Sequence, residues 1–411
     1  MNDISAHLVG LLLVAIFVAL AARRLHLPYT VGLVLTGLAM ALTPVRTGIT
    51  LTHDLIFSLL LPPLLFDAAL CIDWRDLRRD MLPVAALATI GVVIAAATVA
   101  TGLVFLFGWS APPAVMFAVL IAATDPVAVI ALFRDLNIHG RLLFLLETES
   151  ILNDGVAAVF FGLALSWAAT QGAPPGFLAI AGQFIVNAGG GVAIGTVSGL
   201  LAIFIAGRTS DRVLETALTT VAAYGSFYLA QRLLVSGVLA TVAAGLVMGN
   251  IGLLRPEERS PLSEAGRAAV EGFWEYAAFL ANSLVFLLIG LEVADISLHR
   301  LSPMAIAGII ALVLVARALT VYPLSLLFRG SRFAIPLREQ HVLFWGGLRG
   351  ALGLALALAL PADFAWRDDI LLATFSTVVF SVVVQGLTMQ PLLRRLGIRP
   401  GPSDRPILLD N

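Results

Sequence analysis

The chain alternates between long apolar runs and short polar stretches from one end to the other. A helix rises about 1.5 Å per residue, so about 20 apolar residues cross a hydrocarbon layer about 30 Å thick. Cutting the chain at proline, glycine and charge clusters predicts thirteen spanning helices. The first six fall at about 7–22, 29–43, 51–71, 81–107, 112–132 and 140–168. The others fall at about 177–206, 212–230, 234–249, 268–292, 303–328, 338–360 and 369–393. The second and ninth are short, whereas the fourth, sixth, seventh and eleventh are long enough to tilt. Glycine and proline lie inside the runs as well as between them, as packed transmembrane helices tolerate. The expected fold is an all-α polytopic membrane protein, with 1–411 as a single integral membrane domain. The first run is followed by Arg23 and Arg24 rather than preceded by basic residues, so it reads as a retained span and not a signal peptide.

Composition agrees with the pattern. Of 411 residues 59% are hydrophobic and 12% charged, and the mean hydropathy is +0.97. A soluble domain carries about a quarter charged residues. The formal net charge of −1 supplies no basic field for nucleic acid. Every basic residue is arginine, which removes lysine-dependent phosphate loops and Schiff bases. The single cysteine, Cys71, excludes an intrachain disulfide or a cysteine metal cluster. Of the 25 arginines, 19 fall in alternate loops and the last segment, four fall in the other loops, and Arg317 and Arg349 lie within spans. That bias predicts an inner or plasma membrane protein with its N-terminus outside and its C-terminus in the cytoplasm. The short tail after Gly397 predicts that a large regulatory domain is absent.

Function therefore falls to ionisable residues inside the spans, where a charge must meet water, a partner or a ligand. The richest cluster is Glu147-Thr148-Glu149-Ser150-Ile151-Leu152-Asn153-Asp154, in the sixth span. Helical spacing sets Glu147, Ser150 and Asp154 on one face, and Glu149 and Asn153 on the next. In the fifth span, Thr124-Asp125-Pro126 predicts a break, because proline lacks a donor and clashes with the preceding turn. A broken helix presents carbonyls on one side and amides on the other, where Asp125 would satisfy the amide end and Thr124 would offer an oxygen. Asp67 follows Pro62-Pro63-Leu64-Leu65-Phe66 near the predicted cytoplasmic end of the third span, at an ion entrance or at the interface. Arg317 needs a buried partner, for which Glu149 is preferred. Arg349, within Gly346-Gly347-Leu348-Arg349-Gly350, marks a second break and a cation able to hold carbonyl ends together.

Hard alkali cations prefer oxygen ligands, and Asp154, Ser150, Thr124 and backbone carbonyls would supply them without histidine or cysteine. A proton and a cation competing for Asp154 would give exchange with no cofactor and no nucleotide hydrolysis. One titrating acid beside Asn153 favours one monovalent cation for one proton. The donor types do not separate Na⁺ or Li⁺ from K⁺, so a K⁺/H⁺ antiporter uses the same site. A passive cation channel is the other reading, opposed by the acid–arginine pair and the single central carboxylate. The six histidines lie mostly near span ends without a zinc or serine-dyad arrangement, so an enzyme is not expected.

These motifs resemble the monovalent cation:proton antiporters of the sodium/proton exchanger and bacterial NhaP-like group. The resemblance runs from Pro62-Pro63-Leu64-Leu65-Phe66-Asp67 through Thr124-Asp125-Pro126, Glu149-Ser150 with Asn153-Asp154, and Arg317 to Gly346-Gly347-Leu348-Arg349-Gly350. It implies thirteen helices in inverted repeats, with helices five and twelve broken and crossing, and a homodimer among membrane lipids. It implies a transport core of 81–168 and 303–393, the remaining spans forming a dimerisation scaffold. Asp154 would then carry Na⁺ and H⁺ in turn in an electroneutral cycle, with Thr124, Ser150 and Asp67 near the cation. Asn153, Asp125, Glu147, Glu149, Arg317 and Arg349 would form the surrounding network. Two positions depart from the family's usual residues: Asp67 stands where glutamate is common, and Thr148 where glycine is common. The Thr148 hydroxyl would alter packing or add a helix-backbone contact.

Overall fold

Each predicted segment carries a helix in the computed structural model, which describes residues 2–25, 28–41, 52–125, 127–170, 175–293 and 301–398. Arg46, Pro126, Arg300, Arg399 and Arg405 lie outside the described residues. The chain begins with α1 (Asn2–Leu25), α2 (Tyr29–Ala41) and α3 (Leu61–Leu70), the last preceded by a π-helical turn at Leu55–Leu60. Next, α4 (Trp74–Ala85) runs through a second π turn, Ala86–Ile90, into α5 (Gly91–Phe107). The predicted fifth span is two pieces, α6 (Ala111–Ala122) and α7 (Val127–Asp135). Then come α8 (Arg141–Thr170), α9 (Phe177–Ala206), α10 (Arg212–Arg232), α11 (Gly237–Met248), α12 (Glu264–Val293) and α13 (Pro303–Leu327). The predicted twelfth span is also two pieces, α14 (Leu337–Gly346) and α15 (Ala351–Leu358). The last is α16 (Arg367–Phe380), joined by a π segment, Ser381–Gln385, to α17 (Gly386–Arg395). Among the described residues, seven helices, with joined pieces counted as one, are long and apolar enough to cross a membrane.

Large apolar side chains such as Phe105 and Leu178 point outward, while Glu149 and Arg317 are 1% and 5% exposed. A water-soluble protein does the reverse, so the outer surface suits lipid. The fourth helix starts earlier than the pattern predicts. Asp73 caps it by accepting the Arg75 amide at 2.6 Å, and the backbone leaves helical geometry at Asp80 (φ −111°, ψ 17°) before the apolar run begins. Arg75, Arg78 and Arg79 therefore sit on a polar helical turn rather than in the predicted loop.

Two prolines at the start of α3 show how a hydrocarbon-embedded backbone is completed. Pro62 and Pro63 have no amide hydrogen for the carbonyls of Ser58 and Leu59 four residues earlier. Tyr228 donates its hydroxyl to Ser58 O at 3.2 Å, and Tyr224 to Leu59 O at 2.9 Å, both from α10. The tyrosines fix α3 against α10 while replacing the lost helical bonds.

Close packing elsewhere depends on glycine at four-residue intervals. Gly191, Gly195 and Gly199 of α9 face the backbone of Ser236, Ala240 and Ala244, themselves four apart at the start of and along α11. This is the small-residue stripe that lets membrane helices touch backbone to backbone. Gly37 of α2 and Gly290 of α12 meet in the same way. At another end of the bundle Arg141, the first residue of α8, joins three segments. It donates to Asp80 Oδ1 at 2.9 Å, to Ala334 O at 2.8 Å and to Phe333 O at 3.0 Å. Gly195→Ala should lower stability by about 1–3 kcal/mol, because a Cβ there meets the Ala240 carbonyl. Gly189→Ala on the same helix, with nothing within 4 Å of its added Cβ, should leave the melting temperature in detergent unchanged or slightly higher.

Candidate ion site

The two interrupted helices meet at their breaks. Residues 123–125 separate α6 from α7, and residues 347–350 separate α14 from α15; neither stretch is helical. The Asp125 amide donates to Leu348 O at 2.8 Å, which ties one break to the other. Four helix ends converge there, each leaving backbone groups without intrahelical partners. The Asp125 carboxylate accepts the Val127 amide at 3.0 Å and also the Ala351 amide, so one acid caps the N-termini of α7 and α15. Arg349 Nη1 donates to Ala122 O at 2.9 Å and Ala123 O at 3.1 Å, capping the C-terminal end of α6. The charges oppose the helix dipoles in each case. Gly350 leaves room for this arrangement, because a Cβ on it would overlap the Asp125 side chain. From the π segment before α17, Ser381 Oγ accepts the Arg349 amide at 3.0 Å and Gln385 Nε2 donates to Trp345 O at 3.0 Å.

Helix α8 holds this crossing from its side. Asn153 Oδ1 accepts the Thr124 amide at 3.2 Å, and Asn153 Nδ2 donates to Thr124 Oγ1 at 2.6 Å. Ser150 donates its hydroxyl to the Thr124 carbonyl. All three polar groups of Thr124 are thus engaged by α8. Glu149, one position from Ser150, instead meets Arg317 of α13. Arg317 Nη1 bonds Oε1, Nη2 bonds Oε2 at 3.1 Å, and Nη2 also reaches Leu343 O at 2.9 Å. The fork geometry gives a charge-assisted pair with both carboxylate oxygens used. Gly347 lies against the guanidinium, 2.5 Å from Arg317 Nε to where its Cβ would stand.

The other face of α8 opens on a cavity of about 80 Å³. Glu147, Ser150, Ile151 and Asp154 line it from α8, with Thr124, Asp125, Val127 and Ile130 from the broken fifth span. Residues Gly350–Gly353 close one side, and Leu61, Leu64, Leu65 and Ala68 of α3, with Asn282 of α12, form the remaining wall. The cavity holds a few water-sized groups. Its donors are carboxylate, hydroxyl, carbonyl and amide oxygens, a set suited to hard cations.

The predicted division of α8 into two faces matches the geometry: Glu149 and Asn153 lie toward Arg317 and Thr124, and Glu147, Ser150 and Asp154 toward the cavity. Two positions are located more closely. Asp67 is not among the residues lining this cavity, because α3 presents positions 61, 64, 65 and 68 and position 67 lies about a third of a turn off that stripe. The Thr148 hydroxyl is buried without a hydrogen-bond partner among the described residues, which favours the packing role over a backbone contact. Four residues escaped the sequence reading: Asp80, Ser381, Gln385 and Asn282. Three of them are uncharged, and a search for charges within spans passes over them. A lone amide in the apolar run from Ala277 to Gly290 was the available signal for Asn282.

Comparison with known proteins places this geometry in a wider group. The family described as "Sodium/hydrogen exchanger, transmembrane" matches residues 10–395. The chain is 40% identical over 379 residues to the Na(+)/H(+) antiporter ApNhaP of Aphanothece halophytica, covering 91% of this chain and 70% of that protein. It is 34% identical over 409 residues to the Na(+)/H(+) antiporter NhaH of Halobacillus dabanensis, covering 97% and 99%. The solved structure of the sodium proton antiporter MjNhaP1 from Methanocaldococcus jannaschii shares the fold. Its TM-score is 0.75 at 21% identity, over 96% of this chain and 98% of that one.

Removing one member of the Glu149–Arg317 pair strands a buried charge. Glu149→Ala should lower stability by about 3–5 kcal/mol. The double variant Glu149→Leu with Arg317→Met should recover most of that loss, read by thermal unfolding in detergent as a double-mutant cycle.

Proposed function

The chain belongs to the sodium/hydrogen exchanger family, and from that premise we propose that it exchanges Na⁺ for H⁺ across a membrane, with Asp154 binding each in turn. The observation that carries this reading is the cavity in which Asp154, Ser150 and Thr124 converge on the crossing of two broken helices. The acids around it have different tasks. Glu149 is held by Arg317, and Asp125 by the amides at two helix ends. Asp154 caps no helix end in the arrangement described above and faces the cavity, so it is the carboxylate assigned to the exchanged ions. Glu147, about two turns from Asp154 on the same face, belongs to the approach to the site.

Binding one proton or one Na⁺ changes the site's charge by the same amount, and competition for one carboxylate makes the two exclusive. The cycle is then electroneutral, one ion for one proton. Ser150 gives its hydrogen to the Thr124 carbonyl and keeps oxygen lone pairs for the cation. The Thr124 oxygens are held in place by Asn153 and Ser150, so ligand geometry is set before the ion arrives. Access alternates by movement of a core formed by 81–168 and 303–393 against the remaining spans, which form the contact of a homodimer. With the N-terminus outside, as the arginine bias favours, the Glu147 and Ala68 end of the cavity lies nearer the cytoplasm, and that end is the proposed opening.

Purified protein in tight proteoliposomes tests this reading. An imposed Na⁺ gradient should move protons in the opposite direction at a rate that ignores membrane potential, and Asp154→Asn should abolish the exchange. Rates ranked for Na⁺, Li⁺ and K⁺ decide between sodium and potassium as the working cation. Potential-dependent exchange would overturn the stoichiometry, and cation flux without proton movement would overturn exchange itself.

A further inference from the structure

The wall of the cavity facing Asp154 differs in character from the wall that carries it. Helix α3 contributes Leu61, Leu64, Leu65 and Ala68, none with a polar side chain, and α12 contributes Asn282. Its Oδ1 is buried and takes no hydrogen bond from any group among the described residues. Buried amide oxygens in folded proteins are ordinarily satisfied. A structural asparagine in this same chain shows the usual pattern, since Asn250 donates to Ile72 O and Leu246 O, each at 2.8 Å, and accepts the Trp74 amide at 2.7 Å. Asn282 has no such task for its oxygen. Asn282 itself lines a cavity whose other donors suit a hard cation, with its amide oxygen left free to turn toward it.

We propose that Asn282 is a ligand or water-bridged ligand of the cation at Asp154, supplied by the stationary part of the protein and engaged only while the site faces this cavity. The inference rests on the proposed role of Asp154. Helix α12 is well placed to be stationary: Gly290 meets Gly37 of α2 backbone to backbone, and Ser283, beside Asn282, bonds Phe279 O and Tyr29. Thr124, Ser150 and Asp154 belong to the other body, tied together by Asn153. When the two bodies shift, the three core donors travel with the ion and Asn282 stays. The amide oxygen therefore strengthens cation binding on one side of the membrane and is lost from the coordination shell on the other. An amide serves this purpose better than a carboxylate, because it adds a dipole without altering the charge that makes exchange electroneutral.

The test measures Na⁺ dependence of exchange from each membrane face, using the full chain in inside-out and right-side-out vesicles. Asn282→Ala should raise the Na⁺ KM about tenfold from the face onto which the cavity opens, as expected for losing one hydrogen-bond-scale contact. The KM from the opposite face and the maximal rate should stay within about threefold of the starting protein. Asn282→Ser, which keeps an oxygen, should fall between the two, and it carries the test if the alanine variant elutes as an aggregate. An unchanged KM from both faces, an equal rise from both, or a lost maximal rate with unchanged KM would each overturn the proposal. Asp154→Asn measured alongside separates the two ideas. If exchange in the starting protein survives that substitution, the Asp154 reading fails; if it is abolished while Asn282→Ala behaves like the starting protein, only the role of Asn282 fails.

Discussion

Backbone groups at an interrupted helix have nowhere to go in hydrocarbon, and the crossing of Asp125 and Arg349 is this protein's answer to that constraint. Four helix ends meet within a few residues. The acid takes the amide ends of α7 and α15, and the arginine takes the carbonyl end of α6. Each charge offsets helix dipoles of the opposite sign, so the pair serves as two caps rather than as one salt bridge. Two carbonyls before the second break are met from outside, Leu343 O by Arg317 and Trp345 O by Gln385. With the ends satisfied, the peptide groups between them stay in fixed, non-helical positions, and Thr124 and Gly350 are brought to the cavity wall.

The same helix then separates structural charge from exchangeable charge by rotation alone. Glu149 and Ser150 are neighbours in sequence, yet a step of about 100° puts one against Arg317 and the other against the cavity. Asn153 lies one turn from Glu149 and grips Thr124 with both ends of its amide. Asp154, one turn from Ser150, faces the cavity. Had the acid stood at position 153 and the amide at 154, the carboxylate would have faced the Thr124 amide and the network around Arg317. The order Asn153-Asp154 therefore decides which group is spent on structure and which remains for the proposed exchange.

Much of this was readable before any coordinates. Apolar runs located the helices, because hydrocarbon demands length and apolarity that few other environments do. Thr124-Asp125-Pro126 announced a break, and a buried arginine at 317 required an acid, for which Glu149 had the right face. What escaped was tertiary. The start of α4 depends on Asp73 as a cap and on a kink at Asp80, which hydropathy does not register. Tyr224 and Tyr228 complete the backbone at Pro62 and Pro63 from more than 160 residues away, and no local pattern links them. From α3 it is the apolar neighbours of Asp67 that line the cavity, a facing that hydropathy alone does not decide. Asn282 carries no charge, and only the placement of α12 beside α3 reveals it.

Two kinds of contact hold the helices, and their distribution bears on how an ion could cross. Three glycines bring the backbones of α9 and α11 together along a face, and Gly37 and Gly290 do so at one point between α2 and α12, a fit that sliding would destroy. Around Thr124, directional hydrogen bonds and paired charges hold the pieces in one arrangement. Between these regions, contacts run through apolar side chains, as with Leu239 against Gly155 and Val31 against Gly386, and the α3 wall of the cavity is wholly apolar. Apolar contacts have no preferred direction, so a shift along them exchanges one set of dispersion contacts for another without stranding a polar group. In the proposed cycle the movement belongs at this boundary, because it is where displacement costs least. Asn282 is the polar exception on that wall, and a directional group at a boundary that slides is the one whose contacts must differ between the two states.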